Sequence, residues 1–141
     1  MPDTGEPVGA DGEPVLIALE FRRSDIGRLR QRVTACAAEA GLRGQRLQAF
    51  VMAVNEIITN AVLHGGGLGR LRLWRGDRQL VCEVSDRGPG IPAGRAAAVR
   101  PPPEATGGRG LWLTRRLCDA FSLETGRHGT TVRVAAALDR A

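Results

Sequence analysis

The sequence predicts an α+β fold: a two-layer sandwich with an antiparallel or mixed sheet of about five strands, covered on one face by about three helices. Two observations carry this prediction. The predicted elements follow the order strand, two helices, two strands, long loop, helix and hairpin, which separates a strand layer from a helix layer. The chain has 141 residues, 43% of them hydrophobic, which is enough for one domain with a genuine core.

The first strand and the first helix are predicted from residues 15–41. Apolar side chains alternate with others from Val15 to Phe21, as in a strand with one buried face. Ser24 offers an N-cap, with Asp25 in the first turn, for a helix that ends at Gly41. The residues expected on the inward face of this helix are Ile26, Leu29, Val33, Cys36 and Ala40.

A longer second helix is predicted from about Gln45 to His64, and the run Gly65-Gly66-Gly67 ends it. On a helical wheel its apolar side chains gather on one side, which we expect to pack on the sheet. These side chains are Phe50, Val51, Val54, Ile57, Ile58, Ala61 and Val62.

The second half of the chain predicts two strands, a loop, a helix and a hairpin. The two strands flank a turn at Gly76-Asp77. Residues 86–108 are rich in Gly and Pro, and a segment of that length inside a domain is typical of a functional loop or lid. A helix is predicted from Gly110 to Ala120, and a hairpin closes the chain around residues 126–129. The inward residues expected in these elements are Leu71, Leu73, Leu80, Cys82, Val84, Leu111, Leu113, Thr114 and Leu117.

Composition and charge narrow the classes of function. The formal net charge is +5, but all the positive residues are Arg, they are spread along the chain, and aromatic residues make up only 4%. This composition argues against a stacking platform for single strands, so we expect no direct nucleic-acid partner. The three cysteines form no CxxC pair, which predicts neither a disulfide framework nor a cysteine zinc site.

The N-terminal residues predict a tail rather than a targeting segment. Residues 1–14 are acidic and rich in Gly and Pro, with neither a basic start nor an apolar stretch, so we expect a flexible tail before a domain at 15–141. No apolar run approaches the about 18 residues of a membrane span. We therefore expect a cytoplasmic protein that does not interact with membranes.

The second predicted helix carries a polar stripe. Glu56, Asn60 and His64 are spaced i, i+4, i+8, so they share one side of the helix, immediately beside the apolar face. A carboxylate and an amide at the margin of a core are half-buried and need hydrogen-bond partners, which suits a binding or catalytic site. The alternative is a solvated polar edge that happens to align.

Two glycine-rich segments are candidate ligand loops. Asp86-Arg87-Gly88-Pro89-Gly90 follows a predicted strand, where an aspartate can accept a hydrogen bond from an exocyclic amine such as that of adenine. The segment from Gly107 to Leu111 opens a predicted helix, and free N–H groups at a helix start suit a phosphate. It is neither GxGxxG, because Leu113 stands at the third glycine, nor a P-loop, because the chain has no lysine. An ordinary turn and a flexible, capped loop are the alternatives.

Together these motifs are more specific than each alone. The combination of ExxxN on a helix, DxGxG after a strand, GxGL at a helix start and a GT pair before the last strand resembles the GHKL superfamily. That group includes gyrase, histidine kinase, mismatch-repair and heat-shock chaperone ATPases. The short length and the stretches 55–65 and 107–113 look most like the bacterial anti-sigma factors that double as serine/threonine protein kinases.

The resemblance implies a role for individual residues. Glu56 would be the general base, Asn60 the Mg²⁺ ligand, and Asp86 the partner of the adenine amine. Gly88 and Gly90 would shape the floor of the pocket. Residues from Ile91 to Gly107 would form a lid over the phosphates, with Gly108 and Gly110 as its hinge, and Thr130 would lie near the adenine. The ATP-binding residues implied by the resemblance are Asn60, Asp86, Gly88, Gly90, Ile91, Gly107, Gly108, Arg109, Gly110, Leu111 and Thr130.

The resemblance also implies a function. The protein would use ATP and Mg²⁺ to phosphorylate a STAS-type anti-anti-sigma protein on a Ser or Thr hydroxyl, and it would hold an RNA polymerase sigma factor inactive. Relatives of this kind are commonly dimers, so a homodimer is expected. The alternative is a non-catalytic module of the same fold that uses ATP occupancy, without turnover, to choose between partners.

Overall fold

The computed structural model describes residues 15–88 and 114–138. In this part of the chain five strands form one antiparallel sheet in the order β1-β2-β3-β5-β4. The strands are β1 (Val15–Arg22), β2 (Leu68–Gly76), β3 (Gln79–Asp86), β4 (Ala120–Gly126) and β5 (Gly129–Ala137), and the helices are α1 (Ile26–Ala40) and α2 (Gly44–His64). Residues 114–117 are also helical. The predicted α+β sandwich is confirmed.

The main core lies between the sheet and the helices. Alternate residues of the central strands point toward α2, and Leu71, Cys82 and Val134 are fully buried. The buried face of α2 packs on them with Phe50, Ala53, Val54, Ile57, Ile58, Ala61 and Val62. Each fully buried side chain of this size contributes roughly 1.5–3 kcal/mol, so this contact fixes α2 across the central strands.

Three predicted boundaries are corrected. Ser24 is not an N-cap: it lies in a 3₁₀ turn, and the Asp25 Oδ2 accepts the backbone N–H of Arg22 at 2.8 Å instead. The turn between β2 and β3 is Asp77-Arg78, one residue later than predicted, because Gly76 pairs with Gln79 and Arg78 takes the left-handed φ of 62°. The last helix ends at residue 117, not at Ala120, because residue 120 already begins β4.

Several predicted features are found as expected. Gly41 ends α1 with a φ of 120°, and Thr114 is fully buried. The three cysteines are free, although only Cys82 is fully buried. Burial raises the pKa of Cys118 to about 12, so its thiol stays protonated at neutral pH. Among the residues described, none of the helices combines the length and the apolar character of a membrane span.

The sheet face opposite the helices carries a second, smaller cluster. Trp74 is only 1% exposed and packs with Val81 and Ala135. The guanidinium carbons of Arg72 and Arg133 lie 5.5 and 5.3 Å from the centre of its ring. Such cation–π contacts cover the indole with charged groups, which lets an aromatic side chain lie on an outer face.

Glu83 links the two arginines over Trp74. It accepts hydrogen bonds from the Nη2 atoms of Arg72 and Arg133, at 2.8 and 2.7 Å. Burial alone raises the pKa of Glu83, but the hydrogen bonds and positive charges of Arg133 and Arg72 outweigh it and hold that pKa below its usual value of 4.5. Its ionised form is therefore stabilised in the fold.

Glu83→Gln is expected to lower the free energy of unfolding by about 2 kcal/mol, because two guanidinium groups lose their shared anion. Urea denaturation at pH 7 measures the change. Because the pKa of Glu83 is lowered by folding, its contribution is present above its usual value and is lost as the pH falls through the lowered pKa. Glu124→Gln, on exposed β4 of the same sheet face, is the matched control and should change stability by less than about 0.5 kcal/mol.

Candidate functional site

The polar stripe of α2 lies at the margin of the core. Glu56 and Asn60 are half-buried, while His64, one turn further on, is exposed. Four residues of helix rise by about 6 Å, so these side chains form a line that ends at the C-terminus of α2. The amide and the carboxylate thus occupy the position beside the buried face that the sequence predicts.

The C-terminal end of α2 meets the end of β3 in a close backbone contact. Gly65 ends the helix by donating its N–H to the carbonyl oxygen of Ala61 at 2.9 Å. A Cβ added to Gly65 would overlap the carboxyl group of Asp86, and one added to Gly88 would lie 2.5 Å from the Cα of Gly65. The absence of side chains at both glycines therefore lets helix and strand touch. This contact sets the place of Asp86 relative to the stripe of α2.

Asp86 is held as a partly desolvated hydrogen-bond acceptor. Its Oδ1 accepts the backbone N–H of Gly88 at 2.8 Å. Burial raises the pKa of Asp86 and outweighs the opposing hydrogen bonds from the backbone N–H groups of Gly88 and Thr130. A carboxylate short of solvent gains more than an exposed one from a donor on a ligand, such as an exocyclic amine.

Two threonines lie beside Asp86 at the end of the β4–β5 hairpin. Thr130 is only 5% exposed and pairs across the sheet with Asp86. On its other side it pairs with Thr125, and the two Oγ1 atoms are 2.8 Å apart. Gly129 takes a φ of 141° and lies against the backbone of Asp86, where a Cβ would overlap the carbonyl oxygen of that residue. The site thus has a hydroxyl pair next to its carboxylate.

A groove of about 330 Å³ opens next to the same corner. The exposed ion pair between Glu20 and Arg70, with 3.2 Å between Oε2 and Nη2, lies at this groove. Strand alternation puts both residues on the sheet face away from α2, and the groove extends from them to Gly65 and Asp86 at the corner. Its lining residues are Glu20, Gly65, Gly66, Leu68, Gly69, Arg70, Ser85, Asp86 and Arg87.

The structure brings together part of the predicted site. Asp86, Gly88 and Thr130 meet at one corner, and Asn60 and Glu56 lie on α2, whose C-terminal end reaches that corner. The remaining predicted residues, Gly90, Ile91, Gly107, Gly108, Arg109, Gly110 and Leu111, lie outside the described residues, as do the predicted lid and tail.

Sequence reasoning missed two residues of this corner. The sequence predicts that Gly65 ends the second helix, within the stretch 55–65 that carries the resemblance, and it assigns no role to Thr125. No local signal marks either, because the role of each depends on a partner that only the fold brings close. The glycine run after His64 was the nearest available signal, but it does not say which glycine touches the sheet.

The described residues fit an adenine nucleotide with Mg²⁺. Asp86 offers an acceptor for an amine, and its surroundings are glycine backbone, which a flat base can approach closely. Within residues 15–88 and 114–138, no group of three or more His, Cys, Asp or Glu could hold a metal ion. Mg²⁺ usually keeps several waters and takes one or two protein oxygens plus phosphates, and the half-buried amide of Asn60 offers one such oxygen.

Comparison with models of protein families shows which family the chain belongs to. A model described as the histidine kinase-like ATPase domain matches residues 19–136. The chain belongs to this family. Domains of this family use ATP, typically with Mg²⁺, which agrees with the donor set at the corner. A search of the curated proteins found no match to this chain.

Solved structures share the fold of this histidine kinase-like ATPase domain. The chain matches the RsbU and RsbW domains of Rv1364c from Mycobacterium tuberculosis with a TM-score of 0.61 and 21% identity, over 90% of this chain and 33% of that one. The match to a blue-light activated histidine kinase domain from Erythrobacter litoralis has a TM-score of 0.56 and 20% identity, and it covers 82% of this chain and 64% of that one. The match to the mycobacterial sensor histidine kinase MprB has a TM-score of 0.56 and 15% identity, and it covers 86% of this chain and 97% of that one. At these identities the likeness establishes the fold.

Gly65→Ala is expected to disrupt the corner. The φ of Gly65 is ordinary, so the added methyl group acts by overlap with the carboxyl group of Asp86 and the carbonyl oxygen of Ala61, and we expect a loss of about 2 kcal/mol of unfolding free energy. Thermal and urea denaturation measure it. Gly27→Ala on α1 is the control, because a Cβ added at Gly27 has no atom within 4 Å and alanine favours a helix. Equal stability of the two variants would contradict the close contact.

Proposed function

We propose that this chain is an ATP- and Mg²⁺-dependent serine/threonine protein kinase that also acts as an anti-sigma factor. It would phosphorylate a STAS-type anti-anti-sigma protein and, in the alternate complex, sequester an RNA polymerase sigma factor. The cycle of phosphorylation would then decide which partner it holds. We expect the active form to be a homodimer in the cytoplasm.

One observation carries the catalytic part of this proposal. The half-buried stripe with Glu56 and Asn60 runs along α2 to the glycine contact that also positions Asp86. An oxygen for Mg²⁺ and a carboxylate for proton transfer therefore lie along one helix, and that helix ends beside the acceptor for a base on β3. The sequence motifs and the likeness to a chain that includes an RsbW domain support the anti-sigma branch of the family.

These residues would need to supply only positioning of the reactants and one proton acceptor. Mg²⁺–ATP, when bound, supplies the phosphoryl group and neutralises its charge. Asp86 would hold the adenine amine, and the Asn60 amide oxygen would fix the position of the metal. Glu56 would orient the attacking Ser or Thr hydroxyl of the partner and accept its proton as the new oxygen–phosphorus bond forms, while the bond between the γ-phosphorus and the bridging oxygen breaks and ADP leaves. Phosphoryl transfer depends mainly on such positioning, with one base to orient the nucleophile.

Asn60→Ala is expected to weaken ATP binding about tenfold in the presence of Mg²⁺ and to leave the Mg²⁺-free affinity unchanged, because the substitution removes one metal ligand. Isothermal titration calorimetry with and without Mg²⁺ measures both affinities. Asn55→Ala is the matched control, since it is the other asparagine of the chain, is also half-buried, and lies about 140° around α2. A loss that is equal with and without Mg²⁺ would refute the metal role of Asn60.

Glu56→Gln is expected to lower the rate of phosphate transfer by about 10²–10⁴-fold while ATP still binds, because the amide cannot take the hydroxyl proton. The measurement is transfer of labelled γ-phosphate to a purified STAS-type partner, with mass spectrometry to locate the phosphorylated hydroxyl. Glu39→Gln, exposed on α1, is the control. If the parent chain binds Mg²⁺–ATP and the partner but transfers no phosphate, it is the non-catalytic partner-switching module instead.

A further inference from the structure

The hydrogen bond between the two threonine hydroxyls at the end of the β4–β5 hairpin can be donated by either residue, and the choice of donor decides what Thr130 offers to a neighbouring ligand. Thr130 is buried next to Asp86, whereas Thr125 is exposed, and 2.8 Å separates their Oγ1 atoms. Each hydroxyl has a single proton to donate. If Thr125 donates to Thr130, the proton of Thr130 stays available for a ligand. If Thr130 donates to Thr125, Thr130 offers a ligand only lone pairs.

The chemistry of Asp86 selects between these two directions. A carboxylate accepts hydrogen bonds, so it pairs with the exocyclic amine of adenine and repels the exocyclic oxygen of guanine. The ring nitrogen N1 next to the adenine amine is an acceptor, whereas N1 of guanine carries a proton. A hydroxyl that stands beside Asp86 therefore favours adenine only when it donates.

We propose that Thr125 is a positioning residue that sets purine specificity by donating its hydroxyl proton to Thr130, so that Thr130 directs its own proton at N1 of adenine. This inference rests on the proposed ATP binding. Thr130 is well placed for the role, because it pairs across the sheet with Asp86 and its backbone N–H already stabilises that carboxylate. Thr125 would act on the base only through Thr130.

A purely structural role of the pair is distinct and measurable. A cross-strand threonine pair also stabilises a hairpin, and loss of that effect would weaken the binding of every nucleotide alike. The positioning role instead predicts a loss confined to nucleotides that offer an acceptor at N1. ATP and 1-deaza-ATP, which has a C–H in place of N1, differ in this atom alone and separate the two roles.

The experiment compares Thr125→Val with the parent chain by calorimetric titration with Mg²⁺–ATP, Mg²⁺–1-deaza-ATP and Mg²⁺–GTP. We expect Thr125→Val to bind ATP about fivefold more weakly, the size of one neutral hydrogen bond, with the affinity for 1-deaza-ATP unchanged. The preference for ATP over GTP should fall by the same factor. Thr125→Ser keeps the hydroxyl and should restore the parent affinity.

Thr131→Val is the control on the neighbouring position, whose side chain lies on the opposite face of β5, and it should bind all three nucleotides as the parent chain does.

If Thr125→Val fails to fold, Thr125→Ala replaces it. Equal losses for ATP and 1-deaza-ATP, or no loss at all, in a parent chain that binds ATP would overturn the positioning role alone. A parent chain that binds no ATP would overturn the proposed function and this inference together.

Discussion

The close contact between Gly65 and the end of β3 is the constraint on which the rest of the site depends. Helix and strand approach so closely there that neither Gly65 nor Gly88 has space for a side chain. The contact fixes where α2 ends relative to Asp86, and so it fixes the whole polar stripe of α2 relative to the sheet. A site assembled from separate elements gains its accuracy from such backbone contacts, since backbone is less free to move than side chains.

The corner places the carboxyl group of Asp86 where burial disfavours its charged form. Burial raises the pKa of Asp86, so the ionised form, which a ligand amine needs, is less favourable in the fold than it is in water. The extensive core between α2 and the central strands provides the stability that this arrangement requires. Residues that are held in an unfavourable state and supported by their surroundings are typical of functional sites, where a ligand supplies the missing interaction.

Much of this architecture could be predicted because it follows from local patterns. Alternation along β1 and the apolar face of α2 determine which side of each element is buried, whatever their final neighbours are. The position of Asp86 at a strand end was also evident from its flanking residues. The exact capping group was not, because Ser24 and Asp25 can both cap and only the entry geometry of the chain decides between them. The contact between residues 65 and 86 lies beyond any local pattern, since it depends on how helix and sheet dock.

The small cluster on the outer face of the sheet gives the protein a natural spectroscopic reporter. Trp74 lies on the side of the sheet away from α2, enclosed by Val81 and Ala135 under two guanidinium groups. Its fluorescence should therefore follow the integrity of the strands and remain indifferent to events along α2. In a variant that replaces Trp112, the only other tryptophan, the fluorescence comes from Trp74 alone and reports the unfolding of the sheet without a contribution from ligand binding.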